Sequence, residues 1–314
     1  MAVLGPYGFV LEVPDLEPGV RFYTDAGLNA RQDGTTVRLR CDRQDRDCIT
    51  LLGGAPRKRL HHLILRANPQ KFDDVRLAVP ANGGTLIEAP QGFPADGVWL
   101  KDPHGLRIHL LDAPAELAQD PCETFQCNMP GRLVRKDRRG VEPKATIGPI
   151  RPLRLGHVLL FTPDVLRSVE FFTRALGMGL ADRAQDVVAF MCARKDSDHH
   201  VVAFAKSPDI GFHHASFQVK TPDEVGLGGR RLIQKGNTGK GNWGFGRHTI
   251  GANFFHYIQD PWGSWFEYYS DIDHIADYSK WEPMNYPLED SLENWGPDLP
   301  TDFAHNYEAV STDG

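Results

Sequence analysis

The feature that most constrains the fold of this chain is an internal repeat. Three segments of the first half recur in the second half, in the same order and at similar intervals. The matching pairs are residues 7–15 with 156–164, 60–65 with 212–217, and 102–109 with 260–267. Such agreement in order and interval is not expected by chance. The sequence therefore predicts a duplicated domain.

Each half divides again into two similar modules. A strand-like run ends in Pro-Asp, and a helical pattern that closes at Gly27 or Gly177 follows it. Short β-rich segments come next, and the pattern restarts at a His-His strand. The prediction is an α+β fold with four βαβββ modules, paired into two tandem domains that are each a curved mixed sheet enclosing a cavity. The modules are expected at roughly 1–55, 56–115, 150–208 and 209–271.

The length of 314 residues is typical of about two domains. We expect an N-terminal domain over 1–120, a polar and basic linker over 121–150, and a C-terminal domain over 151–271. Residues 272–314 form an acidic tail that carries Trp281, Tyr286 and Trp295. Because this is not the composition of a disordered segment, the tail is expected to pack over the second domain.

Composition excludes several classes of protein. A net charge of −6 argues against a nucleic-acid partner, which usually meets a basic face. The apolar runs are well short of the ~20 residues that a membrane span needs, and the first ten residues do not resemble a signal peptide. Five irregularly spaced cysteines predict reduced thiols and a cytoplasmic location. Cys122 and Cys127 lack a second pair nearby, so a zinc site there is not expected.

The repeat also aligns a candidate metal site. His157, His214 and Glu267 each lie in an apolar, strand-like run of the second half. Two imidazoles and one carboxylate leave coordination positions open, which is the facial arrangement of non-haem Fe(II) sites. The first-half counterparts are Gly8, His62 and His109. Since glycine has no ligating side chain, metal is predicted in the second domain only.

Each of these residues has a simpler interpretation when taken singly. His157 could be a satisfied core histidine, His214 could alternate with His213 across a strand, and Glu267 could pair with an arginine. Their shared position favours the metal site. A buried glutamate on the concave sheet needs a cation, because an unpaired buried carboxylate is too costly.

With these residues in place, the chain resembles the type I extradiol catechol dioxygenases of the vicinal oxygen chelate superfamily. The resemblance covers roughly residues 5–271, and its specific motifs lie between residues 156 and 267. It implies Fe(II), occasionally Mn(II), on His157, His214 and Glu267, with O2 as co-substrate. Three further positions match active-site residues of the family, namely His200, His248 and Tyr257.

The roles of these residues follow from the resemblance. His200 would stabilise charge that develops on O2 and act as a general acid, whereas His248 and Tyr257 would hydrogen-bond the substrate oxygens. Cleavage next to the diol would give a yellow muconic semialdehyde-type product. Members of the family are commonly homo-oligomers, which is the expectation here.

The substrate is predicted to be a neutral aromatic diol. The segment 242–247 offers aromatic residues and one cation, Arg247, and the acidic tail would repel an anion. The expected apolar wall of the substrate pocket is Met191, Trp243, Phe245 and Phe254, with Phe190 as a further candidate.

Three other activities are compatible with the same fold. A 4-hydroxyphenylpyruvate dioxygenase-like keto-acid oxygenase shares the His, His, Glu site, but would not need His200, His248 and Tyr257 in this arrangement. Glyoxalase-like isomerases are more distant, since they require extra metal ligands. A metal-free ligand-binding protein would have lost its ligands, as the first half has but the second has not.

Overall fold

The computed structural model describes residues 2–114, 126–237 and 241–309, and within them the chain forms two large mixed sheets. The first half contains eight strands and two helices. They are β1 (Val3–Val13), α1 (Leu16–Asp25), β2 (Asn29–Asp33), β3 (Thr36–Arg40), β4 (Ile49–Gly53), β5 (Arg59–Ala67), α2 (Phe72–Ala81), β6 (Thr85–Leu86), β7 (Val98–Lys101) and β8 (Arg107–Leu111). A short 3-10 helix, Pro69–Lys71, precedes α2.

The second half repeats this order with one extra strand, β12, and adds strands from the tail. Its elements are β9 (Arg154–Thr162), α3 (Val165–Arg174), β10 (Gly179–Ala184), β11 (Val188–Cys192), β12 (Lys195–Asp198), β13 (Val202–Lys206), β14 (Gly211–Gln218), α4 (Pro222–Gln234), β15 (Asn242–His248), β16 (Phe254–Gln259) and β17 (Trp265–Ser270). The tail contributes β18 (His274–Asp277), β19 (Asn285–Tyr286) and β20 (Glu293–Trp295), with 3-10 helices at Tyr278–Lys280 and Leu288–Asp290. The predicted α+β fold of paired βαβββ modules is confirmed.

The sheet topology is the same in both halves. The first strands of paired modules, β1 with β5 and β9 with β14, run antiparallel at the centre of each sheet. Each of them also pairs in parallel with the last strand of its own module. The first sheet has the order β2-β3-β4-β1-β5-β8-β7-β6, and the second has the order β19-β10-β11-β13-β9-β14-β17-β16-β15-β20.

The repeated Pro-Asp motif of the sequence is a helix start. Asp15 caps α1 by accepting a hydrogen bond from the Glu17 N–H at 3.1 Å, and Asp164 caps α3 by accepting from the Arg167 N–H at 2.9 Å. Each helix is followed by a glycine with positive φ, Gly27 at 97° and Gly177 at 72°. Only glycine adopts this conformation without strain. The Pro-Asp motif and the glycine that follows it therefore mark the start and the end of the first helix in each domain.

The two sheets share an apolar core. The ring centroids of Phe9 in β1 and Phe212 in β14 lie 4.5 Å apart, and those of Phe22 in α1 and Phe266 in β17 lie 6.0 Å apart. The Tyr268 hydroxyl donates to the Ala26 carbonyl at 2.7 Å across the same interface. Apolar burial therefore joins the halves into one packed unit.

The predicted boundaries at 120, 150 and 271 stay a proposal. Of the predicted linker, residues 126–150 are described and are mostly exposed, with one isolated bridge between Met129 and Arg132. Cys127 is an exposed free thiol there, and Cys122 lies outside the described residues. No helix in the described part of the chain is long and apolar enough to cross a membrane.

The tail packs on the second domain along two edges. β19 pairs with β10 at one end of the sheet, β20 pairs with β15 at the other, and β18 pairs with β12. Beyond these strands, the carboxylate of Glu308 accepts hydrogen bonds from the Leu60 N–H at 2.8 Å and the Phe212 N–H at 3.1 Å. These two amides belong to different domains, so Glu308 ties the tail to both.

Glu308 also forms a buried ion pair with Lys58, whose Nζ lies 2.5 Å from Oε1. We expect Lys58→Met to lower the free energy of unfolding by about 3 kcal/mol, because it leaves a buried carboxylate without its cation. Urea denaturation followed by fluorescence measures this change. Lys206→Met is the matched control, since the Lys206–Asp186 pair is exposed and its loss should not move the midpoint. Equal midpoints for the two variants would contradict the assigned role of Lys58.

Candidate metal centre

Three adjacent strands carry the predicted metal ligands. His157 lies in β9, His214 in β14 and Glu267 in β17, and β14 is the central strand of the three. His157 and Glu267 both stand opposite Ser216 of β14. Because side chains alternate between the two faces of a strand, His214, two residues before Ser216, projects from the same face. The strand register thus brings all three ligand-type side chains to one point.

The ligand atoms of His157, His214 and Glu267 all lie within 4.8 Å of one another. Nε2 of His157 is 3.2 Å from Oε2 of Glu267, and Nε2 of His214 is 3.8 Å from the same oxygen. All three residues are buried, and Glu267 has no exposed surface. This geometry suits a single small cation between two imidazoles and one carboxylate.

The surroundings of Glu267 fit a metal on physical grounds. Within the described residues its ion-pair partners are all histidines, namely His157, His214 and His248. Burial lowers the pKa of His214 well below its usual value and also lowers that of His248. Neutral imidazoles are the form that binds metals, and they cannot balance a buried carboxylate. A divalent cation would supply the missing charge.

Two residues that the sequence did not suggest hold the carboxylate in place. The Ser216 hydroxyl donates to Oε2 of Glu267, and the Asn253 amide donates to Oε1 at 3.0 Å. Ser216 has no exposed surface, and Asn253 is 1% exposed. A signal for Ser216 was present in the sequence, since it lies two residues after His214 and therefore on the same strand face. Asn253 lies just before β16 and had no such signal.

His200, one of the two further histidines predicted for the active site, lies beside this cluster. Its ring centroid is 4.2 Å from that of His157 and 4.8 Å from that of Phe190. Burial and the neighbouring histidines lower its pKa well below the usual value. His200 lies in the turn between β12 and β13, so its approach to β9 depends on the pairing of β13 with β9.

His248 and Tyr257 form a hydrogen-bonded pair on the opposite side. Nε2 of His248 is 3.0 Å from the Tyr257 hydroxyl, and Nδ1 of His248 is 2.7 Å from the Leu292 carbonyl. Since Nδ1 must donate to that carbonyl, a neutral His248 accepts the Tyr257 proton at Nε2. Burial, with a further contribution from Glu267, raises the pKa of Tyr257 well above 10. Tyr257 therefore stays a phenol that can donate a hydrogen bond.

A small cavity of about 40 Å³ opens on the cluster. His157, His200, His214, His248 and Tyr257 face it, together with Asn253 and Ser291. The apolar part of its wall consists of Leu159, Val188, Phe190, Ile250, Leu292 and Phe303. Three of the lining residues, Ser291, Leu292 and Phe303, come from the tail. The tail therefore completes the site as well as covering it.

Four residues expected in this wall do not line it. Met191 follows Phe190 in β11, so strand alternation turns it into the core on the other side. Trp243 packs behind Tyr257 at 5.4 Å between ring centroids and donates its indole N–H to the Pro297 carbonyl. The rings of Phe245 and Phe254 stack on each other at 5.6 Å and contact Trp295 of the tail. Tail residues take the places that were predicted for these side chains.

The first domain lacks the corresponding site. Gly8 of β1 is opposite Ile64, which holds the position of Ser216 in the repeat. A Cβ on Gly8 would lie 2.8 Å from the Cys48 carbonyl oxygen, so no side chain fits there. His62 is buried between Phe93 and Trp99, and the Trp99 ring stacks on His109 at 4.2 Å. Aromatic packing thus fills the space that the second domain keeps for its ligands.

The chain is similar to known proteins in sequence and in fold. Residues 154–268 match the family model described as Glyoxalase/Bleomycin resistance protein/Dioxygenase superfamily. The chain is 38% identical to Metapyrocatechase 2 of Cupriavidus necator over 301 residues, which are 96% of this chain and 91% of that protein.

Two solved structures have a similar fold over nearly the whole chain. The Mn(II)-bound glyoxalase from Novosphingobium aromaticivorans has a TM-score of 0.75 at 23% identity and covers 99% of both chains. The E323L mutant of homoprotocatechuate 2,3-dioxygenase from Brevibacterium fuscum has a TM-score of 0.74 at 19% identity, over 96% of this chain and 81% of that one.

Metal retention tests the assignment of the ligands. We expect His214→Ala to weaken binding of Fe(II) or Mn(II) by more than about 100-fold, because loss of a ligand should exceed the effect of losing an outer contact. Metal content of the folded protein after anaerobic loading and gel filtration measures this. His62→Ala, the same change at the repeat-related position, should retain metal as the unmodified chain does. Equal loss in the two variants would refute a site confined to the second domain.

Proposed function

Since the chain belongs to the metapyrocatechase family of extradiol dioxygenases, within the Glyoxalase/Bleomycin resistance protein/Dioxygenase superfamily, we propose that it cleaves a catechol-type ring next to its two hydroxyls. The observation that carries this proposal is the cluster of His157, His214 and Glu267 beside a small, mostly apolar cavity that the two histidines line. His200 lies on one side of the cluster, and the His248–Tyr257 pair lies on the other. The reaction joins both atoms of O2 to the ring as it opens.

We propose that His157, His214 and Glu267 hold Fe(II), with Mn(II) as the alternative. The two imidazoles and one carboxylate leave a face open, which is the ligand set of oxygen-activating iron sites. When bound, the metal would act as a Lewis acid that lowers the pKa of the diol hydroxyls and would bring the diol and O2 together. Ser216 and Asn253 would keep the carboxylate of Glu267 aimed at this position.

His200 would serve as the acid–base group of the reaction. It faces the cavity next to His157, and its low pKa favours a neutral ring that can accept a proton from a substrate hydroxyl. The same proton can then be delivered to an oxygen of the opening ring, so no net proton is consumed by the protein.

The His248–Tyr257 pair would orient the substrate. Because the Leu292 carbonyl fixes the His248 ring, the pair presents its hydrogen-bonding groups at a constant place in the cavity. A substrate oxygen bound there would select which ring carbon faces O2. The apolar side chains around it would exclude water from the reacting atoms.

The cavity supports a neutral substrate. Among its described lining residues there is no lysine or arginine. Arg247, the cation that the sequence offered, instead pairs with Asp271 at 2.9 Å and lies over the Phe254 ring at 4.1 Å. A carboxylate on the substrate would therefore be buried without a partner.

Entry of a ring requires the wall to open. The cavity of about 40 Å³ is much smaller than the ~150 Å³ space that accommodates benzene in an engineered core. Phe303 belongs to the part of the tail that follows β20, and its carbonyl accepts a hydrogen bond from Nε2 of His213 at 2.7 Å. We propose that the segment around Phe303 moves outward to admit the diol, while Leu292 stays bound to His248. Cytoplasmic location and a homo-oligomeric state stay predictions.

Ring cleavage itself is the direct test. Protein loaded anaerobically with Fe(II) should consume one O2 per catechol and form a yellow product when oxygen is admitted. Oxygen-electrode and absorbance measurements follow both changes, with His214→Ala as the control for free iron. Absence of turnover with simple, methylated and biphenyl-type catechols would overturn the proposal.

Substrate charge gives a second test. We expect 3,4-dihydroxyphenylacetamide to show a kcat/KM at least about 100-fold above that of 3,4-dihydroxyphenylacetate, because only the acid buries an unpaired charge. The two compounds are nearly the same size, which separates charge from shape. Similar values for the pair would contradict a cavity selective for neutral rings.

His200→Asn tests the acid–base assignment. This variant should bind metal and diol normally but lower kcat by about 100-fold, which is the usual contribution of a general acid or base. Metal content and steady-state kinetics with varied O2 measure the two properties. Normal turnover would remove His200 from the reaction.

A further inference from the structure

A buried line of polar groups lies behind His200. Nδ1 of His200 is 3.0 Å from Nδ1 of His199, and Nε2 of His199 is 2.8 Å from Oδ2 of Asp182. His199 has no exposed surface, and Asp182 is 3% exposed. Two successive histidines and a carboxylate therefore connect the cavity to the interior of the domain. The reaction proposed above uses only the first of them.

The tail fixes both inner members of this line. The Met284 N–H donates to Oδ1 of Asp182 at 2.6 Å, and the His199 N–H donates to the Asp273 carbonyl at 2.7 Å. The ring of Trp281 packs edge-on against His199, with 5.4 Å between centroids. Contacts on these sides leave the His199 ring little freedom to turn.

The donors and acceptors of the line can be assigned in order. As a carboxylate, Asp182 only accepts, so Nε2 of His199 must carry a proton. A neutral His199 then has a lone pair on Nδ1, which requires the proton on Nδ1 of His200. The remaining nitrogen of His200, Nε2, is left unprotonated for the cavity that His200 lines.

We propose that Asp182 and His199 are positioning residues that hold His200 as the Nδ1–H tautomer, with Nε2 ready to accept a proton from the substrate. The inference rests on the proposed dioxygenase function for its catalytic consequence. The hydrogen-bonded line does not depend on that function. It resembles in logic the carboxylate of a Ser-His-Asp triad, which fixes the tautomer of the catalytic imidazole.

The line also stabilises His200 after it has accepted the proton. The imidazolium formed at His200 keeps its Nδ1–H bond to His199, and His199 keeps its Nε2–H bond to Asp182. Positive charge on His200 is thus opposed by a carboxylate two hydrogen bonds away. The proton taken from a substrate hydroxyl returns to an oxygen of the opening ring, which restores the neutral line.

The tautomer can be measured without any reaction. Nitrogen-15 NMR of the full chain, loaded with diamagnetic Zn(II) so that the site carries a cation, distinguishes protonated from unprotonated ring nitrogens. The His200 signals are identified by their loss in His200→Asn. We expect Nδ1–H at His200 in the unmodified chain and a shift toward Nε2–H in Asp182→Asn, since an amide can donate to His199 and reverse the line. Asp186→Asn, an exposed change in the same hairpin, should leave the signals unchanged. Nε2–H in the unmodified chain would overturn the proposal.

Kinetics separates positioning from general structural support. Asp182→Asn should lower kcat by about 10- to 100-fold, the usual effect of changing an outer contact, and should leave the KM for the diol within about twofold. Asp182→Glu, which keeps the carboxylate, should recover part of the loss. In a His200→Asn background, Asp182→Asn should have no further effect on kcat. The same loss in both backgrounds would refute action through His200.

His199→Phe provides a second route if Asp182→Asn does not fold. It keeps the ring volume against Trp281 but removes both nitrogens, so His200 should show mixed tautomers and the same loss of kcat. If the unmodified chain showed no ring-cleaving activity, the proposed function would be refuted. The NMR measurement would still establish which tautomer His200 adopts. Undisturbed tautomer signals in His199→Phe would refute the positioning role in either case.

Discussion

The structure of the second domain is organised around one buried carboxylate. Glu267 lies in β17, beside the central strand pair of the ten-stranded sheet, and has no exposed surface. Every described ion-pair partner it has is an imidazole. Burial of such a charge is stable only with a cation and hydrogen-bond donors around it. Ser216 and Asn253 supply two donors, and the arrangement of histidines supplies a place for the cation. The hydrogen bonds from Ser216 and Asn253 to Glu267 thus serve the same purpose as the cation, because they stabilise the buried negative charge.

Duplication explains how a single chain can satisfy this requirement at one site only. Both domains use the same antiparallel pair of first strands, and the register at Gly8 and Ile64 matches that at His157 and Ser216. In the first domain, the close approach of Cys48 leaves no room for a side chain at Gly8. Trp99 and His109 then stack where a ligand would otherwise bind. At these positions the first domain is packed with aromatic rings, whereas the second domain has a polar interior.

Much of the fold, and the clustering of His157, His214 and Glu267, could be predicted because the repeat contains the signals for both. The Pro-Asp caps, the helix-ending glycines and the alternation of strands are local signals, and alignment of two copies gives the register. The cavity wall was not predictable in this way. Leu292 and Phe303 reach it from the tail, which has no counterpart in the first half, and Met191 faces away from the cavity by strand alternation. The Asp182–His199 line likewise joins β10, the β12–β13 turn and the tail, so no local spacing reveals it.

The tail also covers the two edges of the second sheet. Without β19 and β20, the remaining eight-stranded sheet would end at β10 and β15 in two rows of unpaired backbone N–H and C=O groups, which can join the strands of another molecule. Here β19 covers β10 and β20 covers β15, and both covering strands are only two or three residues long. Short edge strands are poor templates for further pairing. The segment that completes the cavity therefore also protects the sheet from edge-to-edge aggregation, so loss of the tail would affect solubility as well as catalysis.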